Sequence, residues 1–353
     1  ATRVNKEGLI EVVTNDRPRI DYTDTSDGVL LLEKAATNLI TYSEDFSNAS
    51  WSSDTPITLT NNSTTSPDGT QNAAKIEYNG GVGYTYFRAQ YAAAVGVFSI
   101  YAKKGNWRYL GIRNNDGGSH SVWDFDTETF SNVQTNHTMS FDKLGDGWYR
   151  ISDYVSVDSA GTHRGVAITD ATGAETNTLA PAGSYVYIWG GQGENSASYP
   201  TSYIPTQGSA STRVAETASG SGNSEVFNDS EGVLFANIAA NANDSAAKVI
   251  SIYQSSSNAL GFYYYQSRID AYVLVGTNQF LKTHYLDTTI NNKISLKYKT
   301  NDFALWVNGF EVGTGTSGTT PSGLNQLSLT DTSNNNFYGK TKEIGYYNTI
   351  LTD

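Results

Sequence analysis

The sequence predicts an all-β protein built as two tandem antiparallel β-sandwiches with a short extended N-terminal arm. Three observations predict it. Helical periodicity is nearly absent, while short alternating runs of Val, Ile, Tyr and Phe recur between clusters of Gly, Asn, Asp and Ser. That is the pattern of strands that bury one face. Ser, Thr and Asn make up about 30% of the chain, and all three disfavour helix interiors. The chain has 353 residues, which suits two domains of roughly 100–200 residues each.

The elements follow in order. Residues 1–36 carry two apolar runs, 9–13 and 29–32, around a charged stretch containing Arg17-Pro18-Arg19. Pro18 cannot sit in a helix interior, and so short a segment cannot bury its own core. The arm is therefore expected to lie extended on the first module or on a neighbouring chain. The first module spans 37–215, with strands expected at 97–102, 107–113, 122–126, 149–157 and 185–189. Residues 216–223, reading ETASGSGN, are small and polar and mark a linker. The second module spans 224–353, with strands expected at 232–239, 249–253, 259–265, 269–275, 293–299 and 303–307. Asn308-Gly309 is a strong hairpin signal, because a type I′ turn needs positive φ at both central residues. Asn301-Asp302 is read as the preceding turn. No internal repeat relates the two modules.

Composition removes several function classes. The net charge is −12, which argues against a nucleic-acid partner. No apolar run reaches the roughly 18–20 residues of a membrane span. With no cysteine, disulfides, thiol nucleophiles, Cys-zinc sites and iron–sulfur clusters are excluded. The four histidines, His120, His137, His163 and His284, are scattered, and no HExxH, GxSxG or GxxxxGK[ST] motif occurs. The expectation is a non-catalytic protein. The chain opens Ala-Thr-Arg without Met and stops just after a strand-like segment, which reads as a piece of something longer.

Three stretches carry a resemblance. NLITYSEDFSNASW, from Asn38 to Trp51, resembles the opening of jelly-roll carbohydrate-binding modules. The module continues through LGDGWYR at 144–150 and YIWGGQ at 187–192, then SYIPT at 202–206 and Thr212-Arg213. ISLKYKTNDFALWVNGFEVG at 294–313, with KEIGYYNTIL at 342–351, resembles the hairpin and final strand of a laminin-G-like, concanavalin-type sandwich. An arm with RIDYT and VLLLE running into NLITYSEDF resembles virion appendage proteins of tailed bacteriophages, such as tail fibres. The resemblance implies a protein of the virion surface or extracellular space that contributes to host-surface glycan recognition. Its implied partners are that glycan and other virion proteins, in a homo-oligomer that is a trimer by resemblance. Two other readings stand beside it: a structural spacer or capsid decoration protein, and the non-catalytic part of a secreted polysaccharide-degrading enzyme.

Strand alternation singles out candidate residues. If Leu110, Ile112, Val186, Ile188, Phe98, Ile100 and Ala102 claim the core, then Tyr101, Trp107, Tyr109, Arg113, Tyr185, Tyr187 and Trp189 face away from it. Flat rings on a sheet surface suit stacking on sugar C–H faces, and exposed aromatic patches usually mark contact surfaces. The competing reading makes the large rings core. Asp124 and Asp126 could form a catalytic carboxylate pair, but WDFDTETF also reads as a turn capped by Asp. The jelly-roll resemblance implies a structural Ca²⁺ near the first and last strands, with Glu44, Asp45 and Glu194 as candidate ligands. Calcium takes six to eight oxygens, and the alternative is that these are solvated loop acids. No other cofactor is expected.

Overall fold

The computed structural model describes residues 1–350 apart from 15, 54–56, 93, 114–119, 158–162, 175 and 177, and only the backbone of 113 and 163. It divides into two compact units, one of Ala1–Gly28 with Ala35–Val214, the other of Val29–Lys34 with Ala215–Asp353. Among the described residues the strand ladders whose register is resolved are antiparallel, one isolated bridge, Val249 to Asn336, is parallel, and the one helical turn is Gly145–Gly147.

The first unit is a sandwich of two six-stranded sheets. One sheet runs His137–Lys143, Trp148–Val155, Gly96–Lys104, Ser184–Asn195, Ala73–Tyr78, Ile57–Thr64. The other runs Thr129–Ser131, Ser121–Asp124, Tyr109–Arg113, His163–Ile168, Tyr86–Gln90, Trp51–Ser53. Alternation sends Ile76, Phe98, Ile100, Ile151, Val186 and Ile188 of the first sheet inward. They meet Phe87, Leu110, Ile112, Trp123, Val166 and Ile168 of the second. The core side chains expected from the sequence are all buried in this layer. Trp51 stacks on Phe87 at 5.4 Å. Its ring lies against Gly191, where an added Cβ would come within 2.7 Å of it.

The opening and closing motifs of this unit are stitched together. Ala36–Asn38 pairs with Ser211–Arg213. Asn38 is fully buried, and its amide donates to the carbonyls of Gly191 (3.1 Å) and Ile204 (2.9 Å). Its carbonyl accepts from the N–H groups of Ile40 and Gly193, both at 3.1 Å. A buried Asn with two donors and two acceptor sites filled carries no desolvation penalty, so NLI at 38–40 is an architectural motif.

Within the second unit, one sheet runs Phe310–Gly315, Asp302–Val307, Asn292–Lys299, Glu231–Ala240, Gly339–Tyr347, Val29–Leu32. The opposing sheet runs Thr277–Tyr285, Arg268–Val275, Asn258–Tyr265, Lys248–Ser255, Gln326–Ser328. Leu234, Ile250, Phe262, Val273, Leu296 and Leu305 are among the residues that fill the space between them. Asn308 and Gly309 both have positive φ, at 52° and 88°, as the hairpin signal requires. The preceding turn is Thr300-Asn301, one residue earlier than expected, because Lys299 pairs with Asp302.

Two expectations about the segment boundaries change. The arm 1–36 is not one piece: residues 29–34 belong to the second unit, where Val29–Leu32 pairs with Gly339–Tyr347. Residues 216–223 are not a free linker. The Glu216 amide donates to the Glu33 carbonyl, Gly220 N–H to Ser328 Oγ, and Ser221 bridges Leu327. Small polar residues suit a flexible linker, but they also leave backbone N–H and C=O groups uncovered, and here those groups find partners.

Candidate functional site

The seven expected glycan-binding residues do not share one face. Gly96–Lys104 and Tyr109–Arg113 are consecutive in sequence but lie in opposite sheets. An outward side chain on one therefore points the opposite way from an outward side chain on the other. Tyr101, Tyr185, Tyr187 and Trp189 lie on the outer face of the first sheet, Tyr109 on that of the second. Trp107 sits in the connection between the sheets, where its indole N–H donates to the Thr169 carbonyl at 2.7 Å. The side chain of Arg113 lies outside the described residues.

On the first sheet the outer face is split again. Tyr101 and Trp189 are 4% and 1% exposed, which removes them from any open platform. They pack with Trp148, Tyr203 and Ile10, and Val4 lies against the same cluster. Trp189 is 5.3 Å from Tyr101 and 4.8 Å from Tyr203, centroid to centroid. Residues of the arm and of the SYIPT segment thus cover these two rings. At the edge of that cover Tyr185 and Tyr187 remain half-buried, 5.5 Å apart in an edge-to-face pair, with Tyr187 packed against the same cluster.

Cross-strand register builds the open part. Tyr187 lies opposite Lys103 on one side and Lys75 on the other, and Tyr185 lies opposite Glu77. The Lys75 ammonium sits 5.2 Å from the Tyr185 centroid. Both lysines already have carboxylate partners: Lys75 pairs with Glu77 at 2.5 Å and Lys103 with Asp146 at 2.7 Å. Burial, then the Tyr185 hydroxyl, pushes the Tyr187 phenol up, so it is a neutral ring at physiological pH. The sequence reading missed Lys75 and Glu77. Their signal was AAKIEY at 73–78, where Ala74, Ile76 and Tyr78 alternate with the two charges.

The three expected calcium ligands do not form a donor group. Glu194 is buried, and both its oxygens are taken by protein donors: Thr201 Oγ1 at 2.5 Å, Gln192 Nε2 at 2.9 Å and Thr201 N–H at 3.1 Å. Asp45 is exposed and caps a turn by accepting from the Ser47 N–H and hydroxyl. Glu44 accepts from the Tyr203 hydroxyl at 2.9 Å. Among the described residues no group of three His, Asp or Glu side chains is arranged to hold a metal ion.

Glu44 has a different consequence. Burial pushes its carboxyl up, against the Tyr203 hydrogen bond and with help from Asp68. The folded chain therefore holds that proton more tightly than the unfolded one. This contribution to stability is present at acid pH and is lost as pH rises through the folded pKa. Glu44→Gln is expected to raise the urea midpoint relative to wild type at neutral pH, with the gap closing below the ordinary carboxylate range. A pH-independent gap would show that ionisation of Glu44 is not the cause.

Asp124 ends the strand Ser121–Asp124, and Asp126 lies in the turn at 125–128 that follows it. Burial opposes ionisation of Asp124. The Arg108 hydrogen bonds, the Asp126 amide and Thr127 outweigh it and hold the carboxyl below its usual range. Asp126 pairs with Lys104 and lies 3.5 Å from Arg108. A general acid needs a raised pKa, and Asp124 is moved the other way.

No family model and no curated protein matches the chain. Among solved structures, the mouse laminin alpha1 chain, domains LG4-5, is similar over 74% of this chain and 86% of that one, at 10% identity and a TM-score of 0.29. The class rests on the sheets themselves: this is an all-β chain of antiparallel β-sandwiches.

Proposed function

We propose that the chain is a non-catalytic glycan-binding protein, and that its first sandwich engages sugar through the Tyr185–Tyr187 face. The observation that carries this reading is the open tyrosine pair set between two lysines that are each already neutralised. Flat neutral rings offer stacking surface, and Lys75, Glu77 and Lys103 offer donors and acceptors for hydroxyls. With the ammonium groups matched by Glu77 and Asp146, the face favours neutral glycans over strongly anionic ones. The sequence resemblance to tailed-phage appendages suggests where such a protein works: on a virion surface, against a host-cell glycan, in several copies. Multiple copies matter because a stacked ring contributes little alone. Aromatic pairs, used as a guide, give roughly 0.5–1.5 kcal/mol beyond area burial, so adhesion relies on multivalency.

The test is a glycan-array screen of the full chain followed by titration of the best neutral hit. Tyr187→Ala is expected to weaken binding by about two- to tenfold, the equivalent of one such contact, with the chain still unfolding cooperatively. Full binding by both Tyr185→Ala and Tyr187→Ala would sink the reading. A structural-spacer reading has one observation in its favour: Tyr101 and Trp189 on that sheet face pack in one cluster with Ile10 of the arm.

A further inference from the structure

We propose that the second sandwich carries a binding site for a small alkylammonium cation, the size of a choline headgroup, in a cleft on the outer face of its five-stranded sheet. The cleft lies on the other unit from the Tyr185–Tyr187 face and does not depend on that reading.

Strand alternation builds the cleft. In Asn258–Tyr265, Leu260, Phe262 and Tyr264 fill the core, so Ala259, Gly261 and Tyr263 face outward. Two of those three are small. Ser251 and Tyr272 lie opposite Gly261, and Tyr253 and Leu274 lie opposite Ala259. Large side chains therefore ring small ones. The result is a small open cleft whose lining includes Ser251, Tyr253, Ala259, Tyr263, Tyr272 and the loop residue Asp331. Gly261 has to stay small: a Cβ there would sit 2.2 Å from the Ile250 carbonyl oxygen.

Asp331 gives the cleft its charge. Its Oδ1 accepts from the N–H groups of Ser333 (2.9 Å) and Asn335 (3.0 Å). Its Oδ2 accepts from the Asn335 amide (2.8 Å) and the Tyr263 hydroxyl (3.3 Å). These bonds fix the carboxylate without neutralising it. Among the described residues no lysine, arginine or histidine forms an ion pair with Asp331, whereas Asp270 on the same sheet is matched by Arg268 at 3.2 Å. Beside it the Tyr263 and Tyr272 rings lie 4.9 Å apart. Burial, with the Asp331 charge adding to it, pushes both phenols up, so both stay protonated. Neutral aromatic rings attract alkylammonium groups through their quadrupoles. An unmatched carboxylate adds a full charge of the right sign, and a net charge of −12 draws cations in. A neutral polyol would leave that carboxylate uncompensated.

The test is calorimetric titration of the full chain with choline chloride, beside its uncharged isostere 3,3-dimethyl-1-butanol. Choline is expected to bind at least about tenfold more tightly than the isostere, and less tightly as NaCl is raised. Tyr253→Leu should weaken choline binding at an unchanged unfolding midpoint, and Asp331→Asn should weaken it to a similar degree while also loosening the loop whose donors the carboxylate accepts. The proposal is overturned if choline gives no saturable heat, if the isostere binds as well, or if D-glucose displaces choline. The comparison of choline with its isostere uses the wild-type chain, so a variant that fails to fold leaves the test intact. Loss of this site would leave the glycan reading standing, because Tyr187→Ala should not alter choline binding.

Discussion

Residues 215–353 expressed alone are expected to lose most of the stability that their sandwich has in the full chain. The missing piece is Val29–Leu32, which pairs with Gly339–Tyr347 through Leu30, Leu31 and Leu32 opposite Thr341, Lys340 and Gly339. Leu32 is part of the second core and Leu30 packs against it. Fully burying a leucine side chain is worth roughly 1.5–3 kcal/mol; Leu32 is buried and Leu30 half-buried, so removing the two costs about 2–4 kcal/mol before the backbone ladder is counted. Domains hold only about 5–15 kcal/mol in total. The deletion also leaves Gly339–Tyr347 as an unpaired edge, which invites aggregation. Supplying residues 29–34 on a short tether should restore a cooperative urea transition. A fragment that unfolds at the same midpoint with and without that strand would contradict the assignment.

Trp189→Ala is expected to destabilise the first sandwich by about 3–5 kcal/mol, the range for removing a buried Trp or Phe ring. Trp189 is 1% exposed and packs with Tyr101, Tyr203, Trp148 and Ile10. Loss of its ring opens a cavity that the surrounding rings cannot all close. Ile10→Ala attacks the same cluster from the arm and should cost about 2–5 kcal/mol, although residue 10 lies far from 189 in sequence. Urea unfolding followed by Trp fluorescence reports both. If Trp189→Ala keeps its midpoint and loses glycan binding instead, the ring contacts ligand and the arm does not cover it.

Much of the architecture was legible because alternation is a local property. All eleven strands expected in the two modules overlap observed strands. The strands that escaped are mostly edges. His137–Lys143 and Thr277–Tyr285 bury few side chains, with Phe280 the one fully buried residue of the latter, so their apolar signal is thin. The division of the arm was also hidden. The apolar run at 29–32 announces a strand but not which sheet receives it.

The sequence by itself determined which residues face inward along each strand. Phe98, Ile100, Leu110, Ile112, Val186 and Ile188 all obey that rule, because a strand has only two faces and the aliphatic set claims one. It also determined the Asn308-Gly309 hairpin, through φ values that only a few residues tolerate. Only the tertiary structure decided what happens on the outward faces. Tyr109 and Tyr187 are both outward but belong to opposite sheets, while Tyr101 and Trp189 are outward and yet buried beneath the arm. Alternation fixes a side chain's direction relative to its own strand. Which sheet the strand joins, and which distant segment covers it, depends on contacts between residues such as 10 and 189 that no local pattern encodes.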